Sequence, residues 1–312
     1  MLEFLVNSKK SNMVLKHSSD KITFIVDTLC TIDFNHKGGS YAIHKLAFEL
    51  ANQGHYVYIL NEPLYPHPNI MVIPTIKVEH DNGWWADYNW ESFSYNPSRT
   101  VSIYTQITWG NPFNTIHNVR WHLDNYEPEK WDSYKDDIIY NYGSFKIPDG
   151  VSQKSLTVFD YNLDKYYNTN NSNRKGFGYL FHKRTPEWGL DFVKKFGATE
   201  IPHYNGKQNL DYLLKEFNNY EYILTFDDKS YYTTAAALCG TKAIILNPHE
   251  NLTPNEYRQL NPIQMCGVAY GMNDIKWANE TIGLVRDNLL ELERKDKQTI
   301  NNFIEFWKSK LG

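Results

Sequence analysis

Short β-branched runs alternate along this chain with segments whose apolar positions recur every three or four residues. Residues 21–29 (KITFIVDTL) form a run rich in β-branched residues, of strand length, and read as a buried strand. After a polar loop at 31–37 and the triplet Gly38-Gly39-Ser40, residues 41–52 place Ile43, Leu46, Ala47 and Leu50 on one face of a helix. Gly54 stands where such a helix stops, and 56–60 (YVYIL) reads as a second strand. Strand, glycine loop, helix and strand make the βαβ unit of a parallel sheet. Further strands are predicted at 70–73, 101–104 and 138–142, with 119–123 starting a strand or a helix. The aromatic stretch 81–95, with Trp84, Trp85 and Trp90, has no clear period and is read as a long loop, although its tryptophans also suit an acceptor wall. Gly110-Asn111-Pro112 marks a tight turn.

The Asn-rich run 166–175 (YYNTNNSNRK) carries no apolar period and reads as a linker or exposed loop. A second alternation follows it. Strands are predicted at 176–181, 199–201, 220–225 and 242–246, and helices at 188–196, 210–217 and 231–239, the last ended by Gly240. Two closing helices are predicted at 274–293 and 298–311. A chain of 312 residues is long enough for about two domains. The expected class is α/β, with two Rossmann-like domains at 1–165 and 166–295 and a closing helix at 296–312 that crosses back onto the first.

Composition narrows the function classes. A net charge of −4 argues against nucleic acid as a partner, because phosphate backbones select a basic face. Cys30, Cys239 and Cys266 are odd in number and far apart, which disfavours disulfides and a zinc site and suggests buried thiols. No stretch is apolar enough to span a bilayer. The first twenty residues lack the order of a secretory leader, so a cytoplasmic protein with at most peripheral membrane contact is expected. The 23 tyrosines and 9 tryptophans supply platforms for rings or simply core.

In open parallel sheets, ligands bind at the carboxyl ends of strands, where helix N-termini offer N–H groups and partial positive charge. Two such points stand out. One is the run from Asp33 to Ser40, where Gly38 and Gly39 permit close backbone approach and Ser40 suits a cap or a phosphate oxygen. It matches neither the dinucleotide nor the P-loop pattern. The other is the run from Asp227 through Asp228 and Ser230-Tyr231 to Gly240, whose acidic pair reads foremost as helix capping and secondarily as a metal site. Lys183 and Arg184, at a strand end, suit a diphosphate or a solvated surface equally.

The order of these segments resembles glycosyltransferases of the GT-B fold, of the bacterial and viral type that decorates polysaccharides. Three stretches carry the resemblance: Gly38-Gly39-Ser40 through Gly54-His55-Tyr56-Val57; Gly110-Asn111-Pro112-Phe113 with Val119-Arg120-Trp121; and Ser230 to Gly240 with the strand that follows. The segments Gly267 to Gly271 and Trp277-Ala278 also fit. Two positions depart from the pattern. Ala235 stands where the family usually has Glu, and 104–107 (YTQI) lacks a Pro-Glu pair.

The resemblance implies sugar transfer from a UDP- or GDP-linked donor to a glycan or other hydroxyl acceptor, without metal or cofactor. The implied donor site comprises Gly38, Gly39, Ser40, Lys183, Arg184, Tyr204, Asp228, Ser230 and Tyr231. The implied acceptor side includes Asn111 and Arg120. Asp33, His36 and His122 are the candidate bases. Two alternatives remain open: a nucleotide-sugar epimerase or hydrolase on the same scaffold, and a non-catalytic nucleotide-sugar-binding protein.

Overall fold

The computed structural model describes residues 20–28, 38–73, 75–80, 83–88, 95–126, 128–143, 145–181, 185–202, 210–228, 230–246 and 251–312. Two parallel sheets organise them. In the first, β1 (Thr23–Val26) lies between β2 (Tyr56–Ile59) and β6 (Thr100–Thr105). β3 (Ile70–Val72) flanks β2, and β7 (His117–His122), β8 (Ile138–Asn141) and β9 (Gln153–Ser155) follow β6, giving the order β3-β2-β1-β6-β7-β8-β9. The second sheet has the order β11-β10-β12-β13-β14. Its strands are β10 (Lys175–Tyr179), β11 (Thr199–Glu200), β12 (Tyr220–Thr225), β13 (Lys242–Ile245) and β14 (Val268–Tyr270). All of these pairings are parallel.

The first βαβ unit forms as its pattern requires. Helix α1 (Gly38–Asn52) buries Ile43, Leu46, Ala47 and Leu50 against Phe24, Val26 and Val57. Gly54, at φ 88°, turns the chain out of the helix, in a conformation that glycine adopts without strain. Both glycines of the supposed loop prove to be helical: Gly38, Gly39 and Ser40 form the first turn of α1.

The second half carries α3 (Gly189–Lys194), α4 (Leu210–Asn219), α5 (Tyr231–Leu238), α6 (Pro254–Leu260) and α7 (Ile275–Thr281). A four-residue helix, α2 (Pro128–Trp131), lies between β7 and β8. The α5 stretch is so rich in small residues that Ala235, Ala236 and Ala237 all lie in the core.

Several expectations need correction. The aromatic stretch read as a loop supplies β5 (Gly83–Tyr88), which pairs antiparallel with β4 (Thr75–His80) just before it. Its cue in the sequence was the Asn-Gly pair at 82–83, a dipeptide favoured between the strands of hairpins. The strands β9 and β14 and helix α6 were not anticipated. β9 is an exposed three-residue edge, and β14 reads as a continuation of the Cys266-Gly267 turn.

The two closing helices break elsewhere than expected. A 3₁₀ turn at Ile282–Leu284 ends α7, and α8 (Val285–Leu311) then runs unbroken through the charged stretch at 293–298. Ion pairs at helical spacing support that stretch: Arg294 with Glu291 at 2.6 Å and Lys297 with Glu293 at 3.8 Å.

Helix α8 belongs to both halves. Its first turns place Val285 and Leu289 in the core of the second half, and its last turns place Ile300, Phe303, Ile304 and Trp307 in the core of the first. The chain crosses between the halves a second time near residue 158: Leu156 and Val158 pack in the first core, Phe159, Tyr161 and Tyr166 in the second. The two crossings are bonded together. Asp296 of α8 accepts hydrogen bonds from the Phe159 amide at 3.2 Å and the Tyr161 hydroxyl at 2.8 Å, and the Thr157 amide donates to Thr299 Oγ1 at 3.1 Å.

Candidate functional site

The first turns of α1 and α5 come from different halves and meet at an aromatic contact. The Tyr41 and Tyr231 rings lie 6.3 Å apart. Tyr231 also packs against Phe159 at 5.9 Å and Tyr166 at 6.0 Å, and its hydroxyl accepts from Asn162 Nδ2 at 2.6 Å. Burial, together with the neighbouring Tyr166, Asp160 and Tyr41, raises its pKa, so Tyr231 stays protonated. Tyr41 is likewise pushed up to about 12, by burial first and Asp160 second. Asp160, on the connecting segment, accepts from the Tyr65 hydroxyl and, through Oδ1, from the Asn162 amide at 2.9 Å. Two helix N-termini, a half-buried carboxylate and a set of tyrosines thus converge where the halves touch. Asp160, Tyr41 and Tyr65 were not singled out in the sequence, because no motif surrounds them.

Ser230 is the N-cap of α5, its hydroxyl accepting from the Tyr232 amide at 3.2 Å. Capping therefore falls to Ser230 and not to the acidic pair before it. The Asp228 carbonyl accepts from the Tyr257 hydroxyl, and the Asp228 side chain is buried. Gln264 Nε2 donates to the Ser230 carbonyl at 3.4 Å and to Thr233 Oγ1 at 2.6 Å, which fixes the turn from behind. In α1, Ser40 is buried, and a Cβ built on Gly39 would meet only Leu123, at an ordinary 3.9 Å. Gly38, Gly39, Ser40, Asp228, Ser230 and Tyr231 are thus the described members of the predicted donor set. Asp33, His36, Lys183, Arg184 and Tyr204 lie outside the described residues.

Arg120 and Asn111, the two residues of the expected acceptor side, are both bonded within the protein. Arg120 is fully buried in β7, where all five of its N–H donors are satisfied. Nε and Nη2 donate to Asp137 at 3.1 and 2.8 Å, Nη1 to the Thr105 and Thr108 carbonyls at 3.0 and 2.7 Å, and Nη2 also to the Gly110 carbonyl at 2.6 Å. The Tyr104 and Tyr134 rings lie 4.8 and 4.3 Å from its guanidinium. Asn111 accepts from the Tyr104 hydroxyl at 2.7 Å and donates to the Thr115 carbonyl at 2.8 Å. Both residues shape the loop between β6 and β7.

His122, at the carboxyl end of β7, is fully buried, with both ring nitrogens lacking hydrogen-bond partners and the Tyr134 ring edge-on at 6.0 Å. Burial and then the Arg120 charge lower its pKa to about 4, so it is neutral at pH 7. Enclosed in this way, it does not reach a solvent-borne acceptor.

Cys239 and Cys266 are buried free thiols, and burial pushes Cys239 up to about 12. Among the described residues no group of three or more His, Cys, Asp or Glu suits a metal ion, and no helix is long and apolar enough to cross a membrane. A shallow hollow of about 290 Å³ between Thr169-Asn171 and α4 includes none of the candidate residues.

No family model matches the chain, and no curated protein matches it in sequence. Among solved structures it is similar to Acinetobacter baumannii MurG, at 10% identity over 93% of this chain and 99% of that one, with a TM-score of 0.36. It is similar to AviGT4, a glycosyltransferase involved in avilamycin A biosynthesis, at 12% identity over 93% and 98% with a TM-score of 0.39. It is also similar to the spinosyn forosaminyltransferase SpnP, at 10% identity over 94% and 95% with a TM-score of 0.37.

Proposed function

We propose that this protein transfers a sugar from a nucleoside-diphosphate donor to a hydroxyl acceptor, with the diphosphate placed at the facing first turns of α1 and α5. The observation that carries the reading is the approach of those two turns, marked by the 6.3 Å contact between Tyr41 and Tyr231. Helix N-termini offer N–H dipoles to an anion, and α1 and α5 come next in the chain after the parallel strands β1 and β12. As the bond to the sugar breaks, negative charge grows on the leaving diphosphate. Fixed dipoles and the cations of Lys183 and Arg184 would stabilise that charge in the transition state, so no metal is required. Asp33 and His36 are the proposed bases for the acceptor hydroxyl. His122 is set aside on account of its enclosure.

One observation favours the second reading, a protein that binds a nucleotide sugar without turning it over. Ala235, at the position where the resembling family carries Glu, is fully buried in the core of α5, so no side chain reaches a ligand from there. Tyr231, moreover, fills space beside the helix end.

A thermal-shift screen with UDP, GDP, ADP and CDP tests the shared premise. A bound nucleotide at a hundredfold excess over Kd stabilises by about 2.7 kcal/mol. Double substitution Lys183→Ala and Arg184→Ala is expected to abolish the shift, and unchanged nucleotide affinity by calorimetry would remove both residues from the site. Product formation with donor and acceptor separates transferase from binding protein.

A further inference from the structure

Between β6 and β7 the fold holds one tryptophan half out of the protein. Trp109 is 51% exposed, yet the backbone on both sides of it is pinned. The fully buried Arg120 donates to the carbonyls of Thr108 at 2.7 Å and Gly110 at 2.6 Å, the two residues flanking Trp109. Thr108 Oγ1 donates to Asp27 Oδ2 at 2.5 Å, which ties the loop to the carboxyl end of β1, and the Gly110 amide donates to Ser133 Oγ at 3.1 Å. A buried guanidinium is costly unless every donor is paired. Here its pairing is directed at the two backbone carbonyls that flank an exposed aromatic residue. Lys130 Nζ lies over one face of that ring, 5.8 Å from its centroid, which leaves the other face for a ligand, and Ile107 of the same loop is 39% exposed.

We propose that Trp109 is a preorganised stacking platform for a pyranose ring of the acceptor, an assignment that rests on the sugar-transfer reading above. Its position is the carboxyl edge of the first sheet, one hydrogen bond from the strand end that leads towards α1. The exposed part of Trp109 amounts to roughly 100 Å², about half of what a buried aromatic side chain removes from water. That is far below the roughly 800 Å² per partner of a stable protein interface but matches one sugar ring. A pyranose presents an apolar C–H face to the indole and keeps its polar hydroxyls at the rim, in water. Because the loop is already fixed, ring stacking pays little ordering entropy.

The test uses the full chain, with Trp109→Ala and Trp109→Phe, on a printed array of neutral and acidic oligosaccharides, followed by calorimetry with the strongest binder. Trp109→Ala is expected to weaken saccharide binding by about tenfold or more, while Trp109→Phe keeps most of it. The nucleotide-induced thermal shift should be the same in all three proteins. Equal saccharide affinity in wild type and Trp109→Ala, or no saccharide binding by wild type, overturns the proposal. So does Trp109-dependent dimerisation or liposome binding without saccharide binding. Saccharide binding that depends on Trp109 while no nucleotide shifts the midpoint leaves the platform standing and removes the sugar-transfer reading.

Discussion

Asp296 sits where helix α8 passes from one half to the other, and its ionisation sets a measurable cost on that junction. Burial raises its pKa from 3.8 to about 6, against the lowering effect of hydrogen bonds from Tyr161, Phe159 and Thr157. The folded state therefore holds a proton that the unfolded state releases between those two values. Stability from this group is fully present below pH 3.8 and is lost as pH rises through 6. A shift of about 2 units at about 1.4 kcal/mol each makes the charged form cost about 3 kcal/mol at pH 7.

Asp296→Asn removes the charge and keeps an oxygen to accept from the Phe159 amide and the Tyr161 hydroxyl, with the Thr157 hydroxyl beside the new amide. Urea unfolding at pH values from 4 to 8 is expected to show the two proteins nearly equal at pH 4, and the variant more stable by about 2–3 kcal/mol above pH 7. Asp296→Ala serves as the control. It leaves the two donors unpaired and should destabilise by about 1–3 kcal/mol per buried group. A constant gap between wild type and Asp296→Asn across that pH range would refute the assignment of a buried, charge-penalised carboxylate.

Two further outcomes follow from the first sheet. His122→Phe keeps the edge-on contact with Tyr134 and deletes two unpartnered nitrogens. The folded pKa of His122, about 4, lies below the ordinary 6.5, so wild type loses stability as pH falls from 6.5 towards 4, by up to about 3 kcal/mol for this residue. The variant should match wild type at pH 7 in thermal unfolding and lose less at pH 5; a deficit above about 1 kcal/mol at pH 7 would mean that the imidazole has a partner. Arg120→Lys keeps the charge but cannot span Asp137 and the Thr105, Thr108 and Gly110 carbonyls together. It should destabilise by about 3 kcal/mol, measured by urea unfolding, and a loss under about 1 kcal/mol would show that the network is not needed.

The alternating runs were enough to read two parallel α/β halves. Val57 and Ile223 sit in runs that only a buried strand explains, and Ile43, Leu46 and Leu50 repeat with the helical period. Gly54 and Gly240 were legible as helix stops because both take positive φ. The motif stretches singled out the first turns of α1 and α5, whose Tyr41 and Tyr231 rings meet between the halves. What a one-dimensional pattern does not carry is which side chain finds which partner. Arg120 was placed on the acceptor side by resemblance, and its structural role was not legible because the carbonyls and the carboxylate that consume its donors are scattered over residues 105–137. Asp160, Asp296 and Trp109 carried no local cue at all. Each gains its role from groups tens to more than a hundred residues away, and long-range pairing of buried polar groups is decided only when the packed core leaves them no water to bond.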